Sequence, residues 1–246
     1  MTVGSESRKN KEPTMKKFVA LVAIMLLPVG ANAAAAMEGS RHDFSVGSGN
    51  GAAATSADDR ICVYCHVPHN SRQDINGIWN RSNGTQTTYA WGSTSPTIGG
   101  TTLGTTIGSG SLRCFSCHDG TLDIGSLLNG SYNVDGDAVN DATGLLTAAF
   151  YLVTPATMAG NHPVSVRYPS FDNTGTYLSG SSGAFTSSYV ALATLTNNGV
   201  IPVYQDGANG YGIECGSCHE PHDTTYTYFL RDTLAGSQLC IDCHVK

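Results

Sequence analysis

The residues most able to do chemistry in this chain fall into one short pattern that occurs four times. Cys-x-x-Cys-His stands at Cys62-Val63-Tyr64-Cys65-His66, Cys114-Phe115-Ser116-Cys117-His118, Cys215-Gly216-Ser217-Cys218-His219 and Cys240-Ile241-Asp242-Cys243-His244. On one turn of helix, positions i, i+3 and i+4 share a face. Two thiols can then reach the two vinyl groups of a porphyrin while the adjacent imidazole reaches its iron. This is the attachment signature of c-type haem. All eight cysteines belong to the four copies, and none is left over. Zinc ribbons also pair cysteines in this way, and exported chains use even numbers of them in disulfides. Neither accounts for a histidine after the second cysteine in all four copies.

The motif histidines His66, His118, His219 and His244 are the expected proximal ligands. Four others remain: His42, His69, His162 and His222. Four haems need four distal ligands for six-coordination, so the count points to four covalently bound haem c groups with bis-histidine ligation. Each distal candidate has a plainer reading. His42 can be a solvated residue of a loose N-terminal segment, and His162 a turn residue ahead of Pro163. His69 and His222 recur at one offset, in Cys-x-x-Cys-His-x-Pro-His, which makes chance a poorer account of them. Met158 is the competing methionine, and its ligation would raise a haem potential. His69 and His222 lie three residues past a proximal ligand, with a stiffening proline between. Each should therefore serve a neighbouring haem. Repeat order assigns His69 to the haem at Cys114, His222 to that at Cys240, His42 to that at Cys62 and His162 to that at Cys215.

The elements that must position these groups are sparse. Each half of the chain reads as a lone histidine, an extended motif ending in Pro-His, a spacer and a second motif. This predicts two repeated dihaem units, residues 34–150 and 151–246. Gly92–Ser111 and Ser170–Ser188 are rich in small polar residues and read as loop or irregular strand. Ile124–Leu128 and Leu145–Val153 are short apolar runs that fit helix or strand, and Tyr189–Leu195 reads as a strand. With so little periodic apolar sequence, the haems themselves are expected to form the core. The predicted fold is haem-cored and mostly irregular, with short helices at the motifs and few strands.

Met15-Lys16-Lys17, the apolar run Phe18–Val29 and Ala31-Asn32-Ala33 together read as a secretory signal peptide over residues 15–33. Its apolar part is too short for a membrane span. Residues 1–14 read as an upstream extension of the start. From residue 34 onward there are 8 Lys or Arg against 17 Asp or Glu, a formal charge of −9. Nucleic acid and anionic membrane surfaces are poor partners for such a chain.

Iron with two histidine ligands has no open position, so electron transfer rather than catalysis is the expected task. The doubled motifs resemble those of multihaem c-type cytochromes. More narrowly, the signal peptide, four motifs, four spare histidines and Gly/Ser/Thr-rich loops are similar to the outer-surface tetrahaem nanowire cytochromes of metal-respiring bacteria. That resemblance implies extracellular head-to-tail homopolymers, with electrons passed to other redox proteins or external acceptors. It also implies that one subunit's histidine completes a haem in the next, for which His42 is the candidate. A soluble periplasmic shuttle is the alternative, although few lysines are present to form a basic docking patch. A multihaem nitrite- or hydroxylamine-converting enzyme is a third reading and requires one spare histidine to be non-ligating. No P-loop, His-Glu-x-x-His or dinucleotide fingerprint is present.

Overall fold

The computed structural model describes residues 36–45, 47–48, 59–82, 88–90, 97–98, 101–102, 107–130, 145–146, 150, 152, 157–168, 188–205 and 211–245. The signal peptide, most of Leu145–Val153 and most of Ser170–Ser188 lie outside them. Regular structure is scarce, as the composition predicts. Four α-helices occur among these residues: α1 (Ser109–His118), α2 (Leu192–Asn198), α3 (Cys215–Cys218) and α4 (Gln238–Ile241). Short 3₁₀ turns cover Ile61–Tyr64, Thr227–Phe229 and Ala235–Ser237. Strands β1 (Thr97–Ile98) and β2 (Thr101–Thr102) pair antiparallel. Strands β3 (Val166–Arg167), β4 (Tyr204–Gln205) and β5 (Tyr211–Ile213) form a small antiparallel sheet in the order β3-β5-β4.

Each Cys-x-x-Cys-His lies on or beside a helical turn, and each turn is built differently. The first uses the 3₁₀ turn, the second the last turns of α1, the third α3, and the fourth α4 with the residues just after it. One turn brings the two cysteines of each motif to one side, and that is all the geometry the motif needs.

Two expectations for secondary structure change. Tyr189–Leu195 is not a strand: α2 begins at Leu192 and ends at Asn198, where Gly199, with a φ of 68°, terminates it. Leu192 and Leu195, three residues apart, turn inward together, and a left-handed glycine ends the helix. Ile124–Leu128 is a turn rather than a helix or strand, with Ile124 completely buried.

The apolar side chains gather in three small clusters. Phe44, Tyr64, Ile124 and Leu146 pack with Cys65 and Cys117 at their edge. Val166, Tyr168, Leu192, Leu195, Ile201 and Ile213 form a second, against which Leu239 and Cys243 pack. Tyr89, Ile107, Phe115 and Met158 form a third that reaches Cys215. Every cluster therefore abuts motif cysteines.

Buried polar groups tie the pieces together. Arg81 is 1% exposed and donates to the carbonyls of Ser116, Asp123 and Ile124. Its guanidinium thus serves the C-terminal end of α1, where carbonyls lack helical partners and positive charge is favoured. Glu214, also 1% exposed, accepts from the hydroxyls of Ser111 and Ser165, and Ser111 Oγ accepts in turn from the Cys215 backbone N–H. This network fixes α1 against α3, the helices of the second and third motifs.

Candidate haem sites

The return of the chain after each motif matters as much as the motif. In three motifs one hydrogen-bond clip closes the turn. In the first, Val67 N–H donates to Ile78 O, His66 bridges Trp79, and Asn80 N–H donates to Cys65 O. In the third, Glu220 N–H donates to Phe229 O, His219 bridges Leu230, and Arg231 N–H donates to Cys218 O. In the fourth, Val245 N–H donates to Ser188 O, His244 bridges Tyr189, and Val190 N–H donates to Cys243 O. The fourth motif takes its clipping segment from earlier in the chain, the other two from later.

The first and third clips also orient the ligand. His66 Nδ1 lies 2.7 Å from Gly77 O and His219 Nδ1 2.8 Å from Tyr228 O. His118 Nδ1 is 3.0 Å from Phe150 O. A carbonyl can only accept, so Nδ1 carries the proton and Nε2 keeps its lone pair for a metal. The backbone is bent to aim those carbonyls. Gly77 and Ile78 have φ of 92° and 50°, and Tyr228 and Phe229 have 60° and 58°. For side-chain-bearing residues such angles cost energy, which the surrounding hydrogen bonds offset.

Histidine rings from distant parts of the chain face one another in three pairs. Centroids are 6.1 Å apart for His42 and His118, 6.0 Å for His66 and His222, and 6.3 Å for His162 and His244. A metal–imidazole bond of about 2 Å, with the ring centre about 1 Å beyond it, puts two rings on one metal about 6 Å apart. The residues present therefore fit a bis-histidine haem at the first, second and fourth motifs. In each pair one partner is a motif histidine and the other one of the four spare histidines.

These pairs differ from the assignment by repeat order. His42 faces the second motif rather than the first, His222 the first rather than the fourth, and His162 the fourth rather than the third. His69, expected to serve the second motif, is exposed, and neither it nor His219 faces another histidine among the described residues. The physical reason is the third motif's tight clip. It holds His219 and His222 on one short segment, and that segment lies against the first motif. Met158, the competing methionine, is buried against Tyr89, Ile107 and Phe115 in an apolar cluster.

Electrostatics agree with close packing of the four motifs. Burial lowers the pKa of His42 to about 4, followed by the effect of His118, His219 and His222 nearby, so its ring is neutral and able to ligate. Burial likewise lowers those of His66, His118 and His244. The Cys65 thiol is pushed up to about 12 by burial and then by neighbouring Cys117. Burial and then Cys218 push Cys243 up to about 12. The hydrogen bond between Cys114 and Cys215 lowers the first and raises the second. Cys218 is raised by burial, with Cys215 and Cys240 adding to it. Thiols of successive motifs thus influence one another: Cys65 and Cys117, Cys114 and Cys215, and Cys218 with Cys240 and Cys243. The exposed Cys62 completes the set of eight. Among the described residues no three His, Cys, Asp or Glu side chains converge to hold a bare metal ion.

Residues 208–246 match the family of the doubled CXXCH motif. The match takes in the third and fourth motifs and supports a multihaem c-type cytochrome with covalently bound haem and electron transport as its class of activity. No curated protein matches the chain. Among the described residues no helix is long and apolar enough to cross a membrane.

Proposed function

We propose that the chain is a tetrahaem cytochrome whose four haems form one path in sequence order, and that it acts as a subunit of an extracellular filament. The observation that carries this reading is the set of three histidine pairs at the separation of a shared metal. Haem held between such pairs supplies a one-electron couple without an open coordination position. The chain's own part is to fix distances. Thiols that influence one another link the first motif to the second, the second to the third and the third to the fourth. The helix contact between α1 and α3, with its buried Glu214, makes the central junction rigid.

His69 and His219 are what remain. His69 stands on the exposed turn after the first motif, and His219 has its Nδ1 engaged and its Nε2 free. In the filament reading His69 of one copy ligates at His219 of the next. The donated ligand thus moves from His42, whose ring faces His118 in its own chain, to His69. A heterologous contact of this kind repeats without closing and builds a polymer. The signal peptide and the acidic chain fit an exported protein that depends on its own copies rather than on nucleic acid or membrane.

The test is electron microscopy of material sheared from the cell surface, for wild type and His69→Ala. Filaments containing this chain and its haem, lost in the variant, support the reading. Monomers confined to the periplasm, with every haem low-spin, overturn it in favour of the soluble shuttle. The free Nε2 of His219 favours the enzyme reading only if single chains and assembled material both bind carbon monoxide.

A further inference from the structure

The first and third motifs share one clip, and the residues at equivalent places in it differ. Asn80 and Arg231 correspond: each donates its backbone N–H to the second cysteine's carbonyl. Each also donates a side-chain N–H to the residue after the first cysteine, Asn80 Nδ2 to Val63 O at 2.8 Å and Arg231 Nε to Gly216 O at 2.7 Å. The residue after the motif histidine is Val67 in the first clip and Glu220 in the third. Glu220 binds both ways. Its Oε2 accepts from Arg231 at 2.8 Å, and its Oε1 lies 3.1 Å from His222 Nδ1. Its Oε1 also accepts from the His222 backbone N–H at 3.2 Å. Arg231 thus serves two purposes, bracing the turn as Asn80 does and anchoring a carboxylate that the first repeat lacks.

This separates His222 from the other histidines whose ring partners are known. His66, His118, His162 and His219 each meet a neutral backbone carbonyl through Nδ1. His222 meets a carboxylate. A carboxylate on the outer nitrogen draws the proton away from the ring and makes the inner nitrogen a stronger donor. Stronger donation stabilises the ferric state and lowers the reduction potential.

We propose that Glu220 is a positioning residue that sets the potential of the centre shared by His66 and His222 below what neutral hydrogen bonding alone would give. The proposal rests on the functional reading in that His66 and His222 must ligate one haem. Its effect is to make the centre shared by His66 and His222 a stronger reductant than it would be with a neutral partner on His222.

The experiment uses the haem-loaded protein, with spectropotentiometric titration and low-temperature EPR of wild type, Glu220→Gln and His222→Ala. Glutamine removes the charge and keeps one acceptor oxygen, which can stay on His222 Nδ1 while the bond to Arg231 is given up. The expected result is that one of the resolved potentials rises in Glu220→Gln, by about tenfold in its reduction equilibrium or about 59 mV for one electron. The others stay in place and that centre remains low-spin. In wild type, one low-spin ferric EPR signal should carry the signature of an imidazolate-like ligand, and Glu220→Gln should convert it to the neutral type. Unchanged potentials in Glu220→Gln, or release of His222 to give a high-spin centre, overturn the proposal. Should the variant fail to fold, absence of a distinct imidazolate-like signal in wild type overturns it as well. Failure of the underlying pairing is separate: His222→Ala would then leave the number of high-spin centres unchanged.

Discussion

Replacement of Asn80 by alanine is expected to weaken the first motif more than any other single truncation of an uncharged polar side chain there. Asn80 has no exposed surface. Its Nδ2 donates to Val63 O at 2.8 Å, and its Oδ1 accepts from the Asn129 backbone N–H at 3.0 Å and side-chain Nδ2 at 3.1 Å. Its backbone bonds to Cys65 and Leu128 survive the substitution. Two backbone groups, Val63 O and Asn129 N–H, lose their partners. A buried polar group left unpaired costs about 1–3 kcal/mol. Asn129 is only half-buried and water can reach part of it, so the two together should cost about 2–3 kcal/mol. Guanidinium unfolding of the haem-loaded protein, followed by circular dichroism, measures this as a lower midpoint at constant slope. A loss below about 0.5 kcal/mol, the range of ordinary surface substitutions, would refute the claim that the side chain holds the turn.

Other outcomes follow from the same geometry. Gly216→Ala puts a Cβ into the hydroxyl of Tyr204 and should cost about 1–3 kcal/mol by overpacking. Tyr204→Phe in the same chain should restore part of it, as a thermal melt would show. Arg81→Met strips charge-assisted hydrogen bonds from three carbonyls, those of Ser116 and Ile124 buried and that of Asp123 partly so, and should cost about 3 kcal/mol or more in the same unfolding assay. His222→Ala should add one high-spin ferric centre to the EPR spectrum, and double substitution with His66→Ala should remove the ligation of that haem on both sides.

What the sequence made legible, and what it hid, divides along the range of the interactions. The four motifs are local codes, and each indeed lies on or beside a single helical turn because attachment needs no more. The number of spare histidines was equally plain. Their partners were not, because pairing depends on where segments return in space. The clip recurs, but from His66 to its carbonyl partner is eleven residues and from His219 only nine, which erases any fixed period. Asn80 and Arg231 play one role with unlike side chains, so identity could not align them. Ile78, Tyr228 and Phe229 adopt left-handed angles that their residue types disfavour. Their hydrogen bonds explain this only after the fold is known. Tyr189–Leu195 misled for a simpler reason: its β-formers are few, and the buried pair Leu192 and Leu195 decides for a helix.

The central claim is four covalently bound haems on one chain. Intact-mass analysis of the native exported protein, paired with a pyridine haemochrome assay against protein concentration, tests it most directly. The account predicts a mass equal to the chain after removal of residues 1–33 plus four haems, with four haemochromes per chain. Fewer haems, or a mass matching free thiols, zinc or disulfides at any of the four motifs, would contradict it.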